Sequence, residues 1–100
     1  MKQYRVFRVS IMKPYGGPYS AIKTCSREFN TLEEALNCVN ALRVVFPKSY
    51  VTDNGTLARK VEFRYKKQFS GIDFDIVYEG TIFWQILEHG EGLPMPIRIR

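Results

Sequence analysis

The side chains best suited to chemistry in this 100-residue chain are few and far apart. His89 is the single histidine, and Cys25 and Cys38 are the two cysteines. Nucleophilic catalysis needs an activated thiol or hydroxyl beside a base, and no such pair can be nominated. A zinc site usually takes four ligands at recognisable spacing, which one histidine and two distant cysteines do not supply. Asp73 and Asp75 stand two apart and share one face of a strand. Across the hairpin predicted below they meet Gln68 and Lys66, so they read as solvated cross-strand pairs rather than an acid–base couple. Gly16-Gly17 and Gly90-x-Gly92 match neither a phosphate loop nor a dinucleotide fingerprint. The sequence therefore predicts no catalytic residue, no cofactor and no metal ligand; the chain reads as a non-enzyme.

What remains is charge and aromatic surface. The net charge is +5, and it is unevenly placed. Residues 1–30 hold six basic side chains and one acidic, Glu28, whereas the rest of the chain cancels. Clustered cations raise the local potential and hint at partners. Within this segment KPYGGPY (13–19) carries Lys13, Tyr15 and Tyr19 around two glycines and two prolines. Arg5, Arg8, Lys23 and Arg27 lie along the strands to either side. These seven residues form the predicted partner-binding surface. Tyrosines on a proline-stiffened loop offer large contact area at low entropic cost. A second basic stretch, RKVEFRYKK (59–67), interleaves aromatics with cations as nucleic-acid surfaces do. Phe63 and Tyr65 share parity with Val61 and Phe69, however, which predicts that they face the core. The opposing Asp73, Asp75 and Glu79 would neutralise the cations.

These residues need elements to hold them. Residues 4–12 carry apolar side chains at both parities and read as a central strand covered on both faces. Residues 20–29 read as its partner, with KPYGGPY as the turn and the register undetermined. Residues 31–46 show helical spacing of Leu32, Ala35, Leu36, Val39, Leu42 and Phe46, with a Thr31–Glu34 capping box and a stop at Pro47. A short strand at 49–52 and a turn at Asp53-Asn54-Gly55 follow. Residues 57–69 alternate cleanly, and Ser70-Gly71 is a two-residue hairpin loop. Pairing Phe69 with Ile72 sets Tyr65 against Ile76, Phe63 against Tyr78 and Lys66 against Asp75, a self-consistent register. Residues 81–89 place Ile82, Phe83, Ile86 and Leu87 at helical spacing between Thr81 and Gly90, so a short helix is predicted there. His89 would then cap its C-terminus as a cation. Residues 93–100 form an extended tail.

The predicted fold is α+β: one domain, compact over 1–100, with an antiparallel sheet and the 31–46 helix packed on one face. The element order is β-β-α-β-β-β-α, with the last helix covering an edge or a leftover apolar patch. From the long helix onward this is the order of double-stranded-RNA-binding domains, but their lysine-rich last-helix start and Gly-Pro-x-His loop are missing. No apolar run reaches the length of a membrane span, and two cysteines do not make a disulfide scaffold, so a reducing, cytoplasmic setting is expected. The expected function is protein–protein contact by a small adaptor or inhibitor through the basic, tyrosine-bearing hairpin. Phages and mobile elements use small proteins of this type to block host or defence complexes. The alternative is nucleic-acid binding by the same hairpin, since a two-stranded ribbon fits a DNA major groove. The 57–69 strand could also pair with a second copy of the chain.

Overall fold

A computed structural model describes residues 2–14, 20–92 and 94–100, with the backbone alone at 13, 14, 25, 26, 63, 65, 74 and 76–78. The elements are β1 (Gln3–Pro14), β2 (Ser20–Phe29), α1 (Leu32–Val45), β3 (Tyr50–Val51), β4 (Leu57–Phe69), β5 (Ile72–His89) and β6 (Met95–Ile97). The strands form one antiparallel sheet in the order β2-β1-β5-β4-β3. β6 pairs with β5 at Ile86–Glu88, beyond the reach of β4. With α1 packed on one face, the fold is α+β.

Local chemistry explains the elements that the sequence predicted. The Thr31 hydroxyl accepts the Glu34 N–H at 3.2 Å, which caps the helix, and donates to the Glu34 carboxylate at 2.9 Å. At the other end the Phe46 N–H donates to the Leu42 carbonyl at 2.8 Å before Pro47 stops the helix. Ser70 and Gly71 take positive φ values of 49° and 76°, the pair that a tight hairpin turn of the right twist requires. The register runs as predicted from Phe69 opposite Ile72 to Phe63 opposite Tyr78, and then continues past the predicted hairpin to Leu57 opposite Trp84. The core lies under the helix, where Ala35 and Val39 meet Val6, Leu57, Ile82, Trp84, Ile86 and Ile99.

Residues 81–89 are not a helix but the second half of β5. Ile82, Trp84 and Ile86 are buried while the residue after each, Phe83, Gln85 and Leu87, is half-buried, a period of two. Apolar residues on both sides of this strand produced an accidental helical spacing. Hydrogen bonding to β1 on one side and to β4 and β6 on the other decides the conformation. The last helix of the double-stranded-RNA-binding order is thereby lost. His89 ends a strand opposite Gln3, so no helix dipole acts on it.

Length mismatch sets the outline. β5 has 18 residues, which at about 3.3 Å each match the longest extent of the molecule, 59 Å. The 14-residue α1 covers only about 21 Å. β1 runs beside β5 only as far as Pro14 opposite Tyr78. Beyond that level residues 64–77 of β4 and β5 pair with each other and, among the described residues, with nothing else. They form a projecting two-stranded ribbon. The radius of gyration is 16.9 Å, against about 13 Å for a compact chain of this size. The outline is a body with a projecting arm.

Two further expectations change for the same reason. Phe69 shares the parity of core residues but lies past the helix, and it is 69% exposed. β1 is central, yet only its Val6 side faces the helix. Phe7, Val9 and Ile11 are half-buried on the other face, over which no element of the described residues lies.

The tail is extended as expected, and it closes the body. Ile97 pairs with Ile86, Ile99 is buried, and the Ile99 N–H donates to the Gly55 carbonyl at 2.9 Å. The Arg98 guanidinium donates to the Asp53 carbonyl, and Arg43 donates to the Arg100 carbonyl at 3.0 Å. The IRIR ending thus alternates Ile97 and Ile99, which pack on the core, with Arg98, which ties down the Asp53 backbone, and Arg100, whose own carbonyl is held by Arg43.

Candidate functional site

The basic hairpin is built from β1 and β2, whose register runs from Tyr4 opposite Phe29 to Met12 opposite Ser20. An irregularity between Val6 and Phe7 shifts the pairing, so Val6 faces Arg27 while Phe7 faces Cys25. A bulge of this kind re-aims the side chains on either side of it. β1 also pairs with β5, which leaves β2 as the outer strand of the sheet.

The predicted contact residues divide between the two sheet faces. Arg5 stands opposite Glu28 and Leu87, on the face without a helix. Its Nε lies 2.9 Å from the Glu28 carboxylate, but the N–H is not aimed for a hydrogen bond, so the contact is ionic. Lys23 stands opposite Val9 on the same face, with its amine 4.7 Å from the centre of the Phe7 ring, a cation–π contact. Arg8 stands opposite Thr24 and Trp84, on the helix side, and is exposed. Arg27 stands opposite the core residue Val6, on that same helix side. Lys13 pairs by its backbone with Glu79, and its side chain lies outside the description. Tyr15 and Tyr19 fall outside the described residues. Arg5 and Lys23 therefore come together, Arg8 and Arg27 come together, and the sheet separates the two pairs.

Some of the surplus charge is answered within the fold. Besides Arg5 with Glu28, Lys2 pairs with Glu88 of β5 at 3.1 Å. The hydrogen bond to Glu88 and its negative field hold the Lys2 amine protonated above the ordinary lysine range. In the second basic stretch, Arg64 pairs along its own strand with Glu62 at 2.6 Å, which keeps its guanidinium the more firmly protonated. Lys66 faces Asp75 and Gln68 faces Asp73, as the hairpin predicted, whereas Glu62 faces Glu79.

Groups with reactive potential stay apart. The His89 ring lies 6.2 Å from Phe7, and its Nε2 is buried without a hydrogen-bond partner among the described residues. Cys38 is a free, half-buried thiol on α1, where its helix packs on the core. An open hollow of about 620 Å³ on the helix-free face is bordered by Ile11, Lys60, Glu62, Glu79, Thr81 and Phe83. No activated nucleophile is among them. Among the described residues no three His, Cys, Asp or Glu side chains gather to hold a metal ion. No helix among them is long and apolar enough to cross a membrane.

Two exposed apolar features escaped the sequence reading. Ile22 on the outer strand β2 is 63% exposed, and Phe69 and Ile72 at the ribbon tip are 69% and 59% exposed. The tip could have been found by arithmetic, since a helix of 14 residues is too short to cover strands of 13 and 18.

The chain matches no protein-family model, no curated protein and no solved structure.

Proposed function

We propose that this chain is a non-enzymatic binding module that acts in the cytoplasm by protein–protein contact, as an adaptor or inhibitor does. Its contact surface is the outer side of the N-terminal hairpin, strand β2 with Ile22, Lys23 and Arg27, to which the sequence adds Lys13, Tyr15 and Tyr19. The observation that carries the reading is the open edge of β2. Among the described residues its ten positions pair with β1 on one side only, and Ser20 to Thr24 are all exposed. An edge with free backbone donors and acceptors can accept an extended segment from a partner. The exposed Ile22 would anchor that segment, and Lys23 and Arg27, one on each face of the same edge strand, favour an acidic one.

Nucleic-acid binding is the weaker reading. A phosphate backbone is served by cations on one surface, whereas here Arg5 and Lys23 face away from Arg8 and Arg27. Arg5 is also engaged by Glu28.

The test is recovery of a partner from host lysate with tagged wild-type chain, an Ile22→Glu/Lys23→Glu variant and a Tyr15→Ala/Tyr19→Ala variant. Specific recovery that both variants abolish supports the reading. Recovery unchanged in both removes the hairpin from the contact surface. Binding to generic DNA or RNA at low salt that weakens steeply as salt rises would favour the nucleic-acid alternative instead.

A further inference from the structure

The edge of the sheet opposite the basic hairpin carries an independent feature. A hollow of about 550 Å³ opens there, at the end of α1 and against the outer side of β4. That volume lies in the range of small-molecule sites, roughly 300–1,000 Å³. Val45, Phe46, Pro47 and Tyr50 form an apolar and aromatic wall, and Lys48, Arg59 and Lys60 supply three cations. Among the described residues no acidic side chain lines it. β1 and β2 lie beyond β5, on the other side of the sheet. The charge count along the sequence did not show this cluster, because the chain beyond residue 30 cancels overall. The fold brings Lys48 beside Arg59 and Lys60 and leaves the acids elsewhere. Glu33 and Glu34 stand in the first turn of α1, at its far end, and Glu62 is held by Arg64 at 2.6 Å.

Backbone geometry adds a donor. The Thr52 N–H donates to the Thr56 carbonyl at 2.8 Å, which sets the alternation along the β3–β4 ladder. Thr56, Ala58 and Lys60 turn their backbone groups toward the β3 side. β3 pairs only at Tyr50 with Ala58 and at Val51 with Leu57. The Lys60 N–H therefore points away from β5, on the side of the hollow, with no backbone partner among the described residues. We propose that the hollow binds a small phosphate ester carrying a planar ring, as a nucleotide does. Three cations and an outward N–H with no facing acid suit a doubly charged phosphate better than a single carboxylate. The partial negative charge at the end of α1, about half a unit, does not offset three full cations. The exposed Tyr50 ring offers a flat surface on which a base stacks, and so does the Arg59 guanidinium that lies 4.0 Å over the Phe46 ring. Because Phe46 already positions Arg59, that side chain loses little further freedom on binding.

Amide chemical-shift titration of the isotope-labelled full chain tests this with adenosine monophosphate, phenyl phosphate, inorganic phosphate and adenosine. Both ring-bearing phosphates should bind at least about tenfold more tightly than inorganic phosphate or adenosine. The largest shifts should fall at Lys48, Tyr50, Arg59 and Lys60. Lys48→Ala/Lys60→Ala should weaken adenosine monophosphate about tenfold or more. Both lysines are exposed, so the Trp84 emission of that variant should match wild type. Tyr50→Ala should remove the advantage over inorganic phosphate and leave phosphate binding itself unchanged. Inorganic phosphate or adenosine binding as tightly as adenosine monophosphate overturns the proposal. So does the absence of binding at millimolar ligand, or shifts confined to the β1–β2 hairpin. A single-stranded oligonucleotide that binds where the mononucleotide does not overturns it as well, in favour of a nucleic-acid surface. None of these probes reads partner recovery, so the outcome is separate from that of the hairpin experiment.

Discussion

The Phe46 ring stacks on the Trp84 indole with centroids 5.6 Å apart and planes 19° from parallel. This pair marks the place where the helix ceases to cover the sheet. Phe46 is the helix C-cap and Trp84 lies near the middle of β5, so one contact ties the end of α1 to the spine of the molecule. Toward His89 from this level the sheet has a core; toward Ile72 it becomes the ribbon.

Phe46→Ala should destabilise the fold by about 3 kcal/mol, from lost burial and the void left over the indole. Trp84 is the single tryptophan, so its emission reports the change directly. Urea denaturation followed by fluorescence should show a lower midpoint, with a red-shifted native baseline in the variant.

The tail is expected to be structural. Gly55 has φ of +80°, and a side chain there would overlap Arg98. Gly55→Ala should therefore cost at least about 2 kcal/mol, from left-handed strain and displacement of the tail together. Ile99→Ala should cost about 2–4 kcal/mol, as a fully enclosed isoleucine does. Thermal melts of the two single variants would check both values. If Ile99→Ala left the melting temperature unmoved, the tail would not belong to the core.

The hairpin turn holds Ser70 in a left-handed conformation at φ of 49°. Asparagine tolerates that region better than serine. Ser70→Asn should stabilise the chain by about 0.5 kcal/mol, seen as a raised denaturation midpoint with an unchanged slope.

The Lys2–Glu88 pair has a defined pH signature. Glu88 raises the Lys2 pKa above 10.5. A group whose pKa rises on folding stabilises fully below its unfolded pKa, and that stabilisation fades as pH climbs through the folded value. Wild type and Glu88→Gln should therefore differ by a constant amount across about pH 7–9 and converge only above the lysine range. Because Lys2 is exposed, the difference should be small and should shrink with added salt.

The proposed contact surface was only partly legible in the sequence. The surplus charge of residues 1–30 identified the basic hairpin, because charge is a property of composition. How that charge is presented depends on register and on the shift between Val6 and Phe7, which set Arg8 and Arg27 opposite Arg5 and Lys23. The apolar alternation of 57–69 was plain, but it was read as core. Alternation says that one face is covered without saying by what.

The sequence by itself determined the features that rest on near neighbours. Thr31 and Glu34 cap the helix three residues apart, Ser70-Gly71 turns the chain, and the Phe69–Ile72 pairing then follows residue by residue. Each is settled by local sterics and hydrogen bonds. Tertiary structure decided the fate of residues 81–89, which satisfy a helical period and a strand doubly apolar with equal ease. Strands on both sides supply the backbone hydrogen bonds and make that segment a strand. Tertiary structure also decided that the 59 Å sheet outruns its helix, because coverage depends on the lengths of elements packed together and not on any one of them.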